Sequence, residues 1–88
     1  MDPLHADEHP QIDYPCQWEY RLIGFNEDLL RGAIDEVMGQ LGHIVSFSNR
    51  SRSGKFVSLS VELRVEDEST RLGLFDQFQN HPDVMMVL

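Results

Sequence analysis

Two stretches of the sequence hold residue types that could do chemistry. The first, "NRSRSGKF" at residues 49–56, sets Arg50, Arg52 and Lys55 around Gly54 in a chain with only seven basic residues. Such a cluster can cradle a phosphate, begin an RNA-reading strand, or ride on the turn of a hairpin. A phosphate-binding loop needs G-x-x-x-x-G-K-[ST] between a strand and a helix, so that consecutive amides and a helix N-terminus surround the anion. Here Gly54-Lys55 runs into Phe56, Asn49 stands at the first glycine, and the following residues alternate like a strand. The phosphate-loop reading fails on all three points.

The second stretch, His5-Ala6-Asp7-Glu8-His9, spells H-x-x-E-H, the order in which two histidines one helical turn apart bind zinc and a glutamate acts as base. Pro3 and Pro10 flank it, and no periodic apolar pattern surrounds it to build a cleft or supply a further ligand. It reads as a chance match, so no metal and no cofactor are expected. His43 and His81 fall at element junctions and read as turn residues. Ser46, Ser48, Ser58 and Ser60 have the spacing of solvent-facing strand positions. The neighbouring acids Asp35-Glu36 and Glu66-Asp67-Glu68 read as a solvated helix face and a helix entry. With no nucleophile, base and pocket in combination, the chain is expected not to be an enzyme.

The elements that would position these residues are legible in the pattern. Residues 1–15 hold three prolines, four acids and no Lys or Arg, and read as a flexible acidic leader to a single domain over residues 16–88. Trp18, Tyr20 and Leu22 alternate with Glu19 and Arg21 as a half-buried strand ending at Gly24. Asn26 offers a capping oxygen and Glu27-Asp28 suit a helix start, after which Leu30, Ala33, Ile34, Val37 and Leu41 recur at helical spacing up to Gly39–Gly42. A short strand with Val45 and Phe47 leads into the basic stretch. Val57, Leu59, Val61, Leu63 and Val65 then mark the core face of the clearest strand. "EDEST" opens a second helix with Leu72, Phe75 and Phe78 as its expected inner face, His81-Pro82 stops it, and "VMMVL" is a last strand. If Val84, Met86 and Leu88 face the helices, Met85 and Val87 emerge beside Ile23 on the open face, as an apolar cluster suited to association.

The order strand, helix, strand, strand, helix, strand predicts an α+β fold. It is a ferredoxin-like βαββαβ two-layer sandwich, with a four-stranded antiparallel sheet in order 4-1-3-2 and two helices on one face. Strands 1 and 3 are expected to lie parallel at its centre. The RNA-recognition motif shares this topology and stacks bases on aromatics of strands 1 and 3. Its strand-3 signature, laid on Arg52 to Leu59, matches at Arg52, Phe56 and Val57, but Ser53, Gly54 and Lys55 stand where Gly, an aromatic and Gly belong. The open face of strand 1, with Gln17, Glu19, Arg21 and Ile23, has no aromatic.

The totals point the same way. Eighty-eight residues suffice for one modest core that buries roughly 60–65% of the unfolded chain's surface. A formal charge of −8 disfavours nucleic acid, and no apolar run approaches a membrane span. Cys16 is the lone cysteine, as a reducing cytoplasm permits, and no export signal opens the chain.

Pro15 with the strand to Ile23-Gly24, the Ser-x-x-Gly-Lys-Phe-x-Ser run from Ser51 to Ser58, and the ending "HPDVMMVL" resemble the small bacterial YbeD-like family, whose function is unknown. The likeness covers about residues 15–88 and is most specific at the chain's end. It departs at "GQLGHI", where family members have a longer, charged connection. The resemblance implies a ferredoxin-like fold similar to the ACT domains, which bind small effectors such as amino acids, and it brings no catalytic residues with it. The ligand loop of those domains corresponds here to Gly24, Phe25, Asn26 and Glu27, although Glu27 and Asp28 oppose an anion there.

Three functions follow in order of preference. The first is a regulatory or adaptor domain that self-associates or docks a protein partner on its sheet face and edges, through Ile23, Met85, Val87 and the basic stretch with Phe56. The second is a sensor of an amino acid or other small carboxylate at Gly24–Glu27. RNA binding through Arg50, Arg52, Lys55, Arg64 and Phe56 ranks third.

Overall fold

The computed structural model describes residues 11–88; the H-x-x-E-H stretch and most of the expected acidic leader lie outside them. The elements run β1 (Cys16–Gly24), α1 (Glu27–Met38), β2 (Ile44–Arg50), β3 (Val57–Val65), α2 (Glu68–Gln79) and β4 (Met86–Val87). The strands form one sheet in order β2-β3-β1-β4, the ferredoxin-like arrangement expected, with both helices on one face. One detail is corrected: β1 and β3 are antiparallel, from Cys16 opposite Val65 to Gly24 opposite Val57. After β1 the chain returns through α1, so β2 runs the same way as β1, and the tight hairpin then reverses β3 against both.

Alternation in β1 and β3 sends Tyr20 and Leu22, with Val57, Leu59, Val61, Leu63 and Val65, into the core beneath Leu30, Ala33, Ile34 and Met38 of α1. Asn26 caps α1 by accepting the Leu29 N–H at 2.9 Å, and Gly39 ends it with φ +57°. Leu41, expected on the helix stripe, lies beyond that end and is exposed. Gly54 sits in the β2–β3 turn at φ +78°, the left-handed conformation that glycine adopts without a Cβ clash.

Two phases differ from expectation. In α2 the buried residues are Leu74 and Phe78, whereas Leu72 is 49% exposed and Phe75 also reaches solvent. Residues three apart drift backwards around a helix of 3.6 residues per turn, so Leu72 and Phe78 stand about 120° apart and cannot share the inner face. In the last strand, Met85 N–H donates to the Ile23 carbonyl at 2.8 Å, while Met86 is the residue opposite Ile23. Met85 and Met86 thus occupy one place in the ladder, and this bulge shifts the alternation by one. Val87 falls opposite Leu22 and packs against the core, and Met86 takes the open-face position expected of Met85 and Val87.

Candidate functional site

The end of the sheet where β1 stops and the β2–β3 hairpin turns collects most of the residues that the sequence singled out. Gly24 pairs with Val57, which sets the β1–α1 loop beside the root of the hairpin. Phe25 and Phe56 meet there with ring centroids 5.3 Å apart, and the Lys55 ammonium lies 5.5 Å from the centre of the Phe56 ring. Arg50 Nη2 donates to Glu27 Oε1 at 3.0 Å and Arg31 Nε to Glu27 Oε2 at 3.0 Å, so one carboxylate bridges the helix and the hairpin.

Phe25 nevertheless remains 61% exposed and Leu29, in the first turn of α1, 54%. These two, with Asn26, Pro82, Asp83 and the exposed Met85, line a cleft of about 90 Å³. On the open side of the sheet Ile23, Asn49, Ser51, Phe56, Val57 and Ser58 line another of about 160 Å³. The outcome is an apolar floor at one end of the molecule, continuous from Phe56 through Phe25 to Leu29 and Met85.

The two cations of the turn beside this floor, Arg52 and Lys55, differ from the rest. Arg21, Arg31, Arg50, Arg64 and Arg71 each lie within 4.0 Å of a carboxylate, whereas among the described residues Arg52 and Lys55 have no such partner. The turn itself is closed by its own bonds: Gly54 N–H donates to the Ser51 carbonyl, and Phe56 N–H to Ser51 Oγ at 2.9 Å. The amides of Gly54, Lys55 and Phe56 are therefore engaged, and the Arg52 and Lys55 side chains carry the charge that the turn offers to an anion.

The loop expected to hold a small carboxylate is occupied by its own structure. A Cβ on Gly24 would stand 3.0 Å from the Asp83 carbonyl oxygen and 3.2 Å from Leu30 Cδ1, so this glycine serves the approach of neighbouring chain. Asn26 spends its side-chain oxygen on the cap, and Glu27 is bridged by two arginines. On the open face of the sheet, Glu19 stands directly opposite Glu62, and among Gln17, Arg21, Ile23, Ser58, Ser60 and Arg64 there is no ring on which a base could stack. Phe56 precedes β3 and is turned to Phe25.

Elsewhere, His43, His81, Tyr20 and Arg71 have structural partners. A broad groove of about 470 Å³ between the helix ends is lined by Glu36, Val37, Gln77 and the turn Asn80–Asp83. His81 Nδ1 accepts the Asp83 N–H at 3.0 Å, which leaves the proton on Nε2, 3.3 Å from Glu36 Oε1. His43 Nδ1 donates to the Leu41 carbonyl at 2.6 Å. At the far end of β1, Tyr20 donates its hydroxyl to the Arg71 carbonyl at 2.6 Å, and Arg71 Nε donates to Tyr14 Oη at 2.6 Å. The Arg71 guanidinium lies 4.8 Å from the centre of the Trp18 ring. Burial pushes the Tyr20 phenol up to about 12, against the opposing charge of Arg71. Tyr14, assigned to the leader by composition, thus packs against the core. No group of three His, Cys, Asp or Glu side chains is placed to hold a metal among the described residues. No described helix is long and apolar enough to cross a membrane.

Sequence reasoning found the basic turn and the β1–α1 loop, but treated them as separate sites. It missed Leu29; the signal was angular, since at about 100° per residue Leu29 falls outside the arc that Leu30, Ala33, Ile34 and Val37 share.

The comparisons with known proteins agree with this architecture. A family model described as "Protein of unknown function (DUF493)" matches residues 9–88. Uncharacterized protein Cj0253 of Campylobacter jejuni is 32% identical over 72 residues, 82% of this chain and 83% of its own. An uncharacterized protein of Helicobacter pylori is 32% identical over 81 residues, 90% of this chain and 92% of its own. The solution structure of protein HP0495 from H. pylori superimposes with a TM-score of 0.79 at 30% identity, covering 100% of this chain and 94% of that one. The chain belongs to the DUF493 family, the YbeD-like proteins.

Proposed function

We propose that this domain is a non-enzymatic adaptor or regulatory module that docks a protein segment at the hairpin end of its sheet. The partner supplies a large apolar side chain to the floor of Phe25, Leu29, Phe56 and Met85, and carboxylates to Arg52 and Lys55. The carrying observation is the convergence itself: an exposed Phe25 ring 5.3 Å from a half-buried Phe56 ring, with a lysine over the latter, in a chain of net charge −8. Exposed contiguous apolar surface rimmed by polar groups is the common form of a docking site, and like charge keeps acidic partners off the other faces. A cytoplasmic setting belongs to this reading, since it suits the lone cysteine Cys16.

The sensor reading has less support, because Gly24, Asn26 and Glu27 are already engaged. A display library of random peptides tests the docking reading. Selected sequences are expected to combine an aromatic or large aliphatic residue with nearby Asp or Glu, and to lose binding to Phe25→Ala and to the Arg52→Glu/Lys55→Glu double variant. Selection of peptides without acids, or binding indifferent to these changes, overturns it.

A further inference from the structure

The sheet ends in two unlike edges. β4 contributes two residues, whereas β2 contributes seven, Ile44–Arg50, and among the described residues nothing pairs with its outer side. Long open edges are ordinarily guarded by lysine, proline or inward charge. β2 has none of these over Ile44–Asn49; a bulge between Phe47 and Asn49 is its one guard, and it leaves Ile44–Phe47 regular. Both faces of the strand carry exposed apolar side chains. Ile44, opposite Glu62 on the open face, is 64% exposed, and Phe47, opposite Leu59 on the helix side, is 50% exposed because the helices do not reach over the edge.

Charge narrows the choice of occupant. The chain carries 15 acids, yet none lies between Val37 and Val61. The β2 edge is therefore where two copies of a strongly acidic protein can meet without opposing carboxylates. Register narrows it further. Directly opposed residues of an antiparallel pair share a face, so a two-fold axis can pass through a residue but not between two. An axis at Ser46 sets each Val45 against the other copy's Phe47, an aromatic against a β-branched residue on the helix side, which is a favourable cross-strand pair.

We propose that β2 pairs antiparallel with β2 of a second copy about a two-fold axis at Ser46, joining two sheets into one of eight strands. The contact is isologous and covers Phe47 on both chains. The bulge after Phe47 keeps the regular seam short, which places the dimer among weak, reversible associations. Antiparallel pairing also sends the two basic turns to opposite ends, so both docking ends stay open.

The test traps the register. In a Cys16→Ala background, Ser46→Cys places two thiols directly opposite across the axis, with Cβ atoms about 4.5–5.5 Å apart, a gap that a small shift of the seam closes to the span of a disulfide. Mild oxidation is expected to give a covalent dimer for Ser46→Cys and not for Ser69→Cys, on the exposed side of α2, and Phe47→Glu is expected to abolish the trapping while far-UV circular dichroism stays unchanged. Equal trapping of the two cysteines, or trapping indifferent to Phe47→Glu, overturns the proposal. Unmodified protein followed by light scattering from micromolar to millimolar concentration gives an independent reading: a rise in mass supports the dimer, and a monomer throughout refutes it. Arg52→Glu/Lys55→Glu is expected to leave trapping intact while removing peptide binding, so failure of the dimer and failure of the docking site are told apart.

Discussion

Tyr20 makes the stability of this protein fall at high pH in a way that one substitution should remove. Below pH 10 the phenol is protonated in folded and unfolded chains alike. Between pH 10 and about 12 it ionises in the unfolded chain while burial keeps it protonated in the folded one. The unfolded state then binds fewer protons, so unfolding free energy declines as pH rises through that window. A shift of two units corresponds to about 2.7 kcal/mol, an upper limit reached only once pH passes the folded value. Tyr20→Phe removes the phenol and, at neutral pH, the hydrogen bond to the Arg71 carbonyl, at a cost of about 0.5–1.5 kcal/mol. The cost stays in that range because the carbonyl lies within α2 and keeps its place in the helix ladder. Urea unfolding followed by far-UV circular dichroism from pH 8 to about 12 should therefore show two curves that cross: wild type more stable at the low end, Tyr20→Phe at the high end. Parallel curves over the whole range would refute the argument.

Three further substitutions test the packing. Gly24→Ala sets a methyl 3.0 Å from the Asp83 carbonyl oxygen and 3.2 Å from Leu30, and should cost about 1–3 kcal/mol in urea unfolding, as strain does in a filled site. In α2, Phe78→Ala should cost about 3–5 kcal/mol, whereas Leu72→Ala should change stability by less than about 0.5 kcal/mol; comparable losses at the two sites would contradict the assigned helix face.

What could be read in advance depended on how local the cause was. β3 announces both of its faces, because Val57 to Val65 alternate without a break. Asn26 and Asp67 mark helix starts by the chemistry of one side chain acting on an amide three residues on. The phase of β4 was hidden, since a bulge at Met85 leaves no mark in "VMMVL" and reverses every side chain after it. The inner face of α2 was hidden too: Arg71 sits there through Tyr14 and Trp18, partners more than fifty residues away, while two apolar residues of the same helix stay in solvent. The candidate site divides likewise. Arg50, Arg52 and Lys55 stand out by sequence spacing alone, but the meeting of Phe25 with Phe56 depends on Gly24 pairing with Val57, which only the closed sheet supplies.

The seat of Arg71 also turns the protein into its own gauge. Trp18 is the sole tryptophan and lies under the guanidinium that holds Tyr14, so its emission samples one seam between the start of β1, α2 and the segment that precedes the sheet. Circular dichroism averages over every strand and helix. When the two signals move together, the molecule is melting as a unit; when tryptophan emission moves first, Arg71 has left its ring while the sheet still stands.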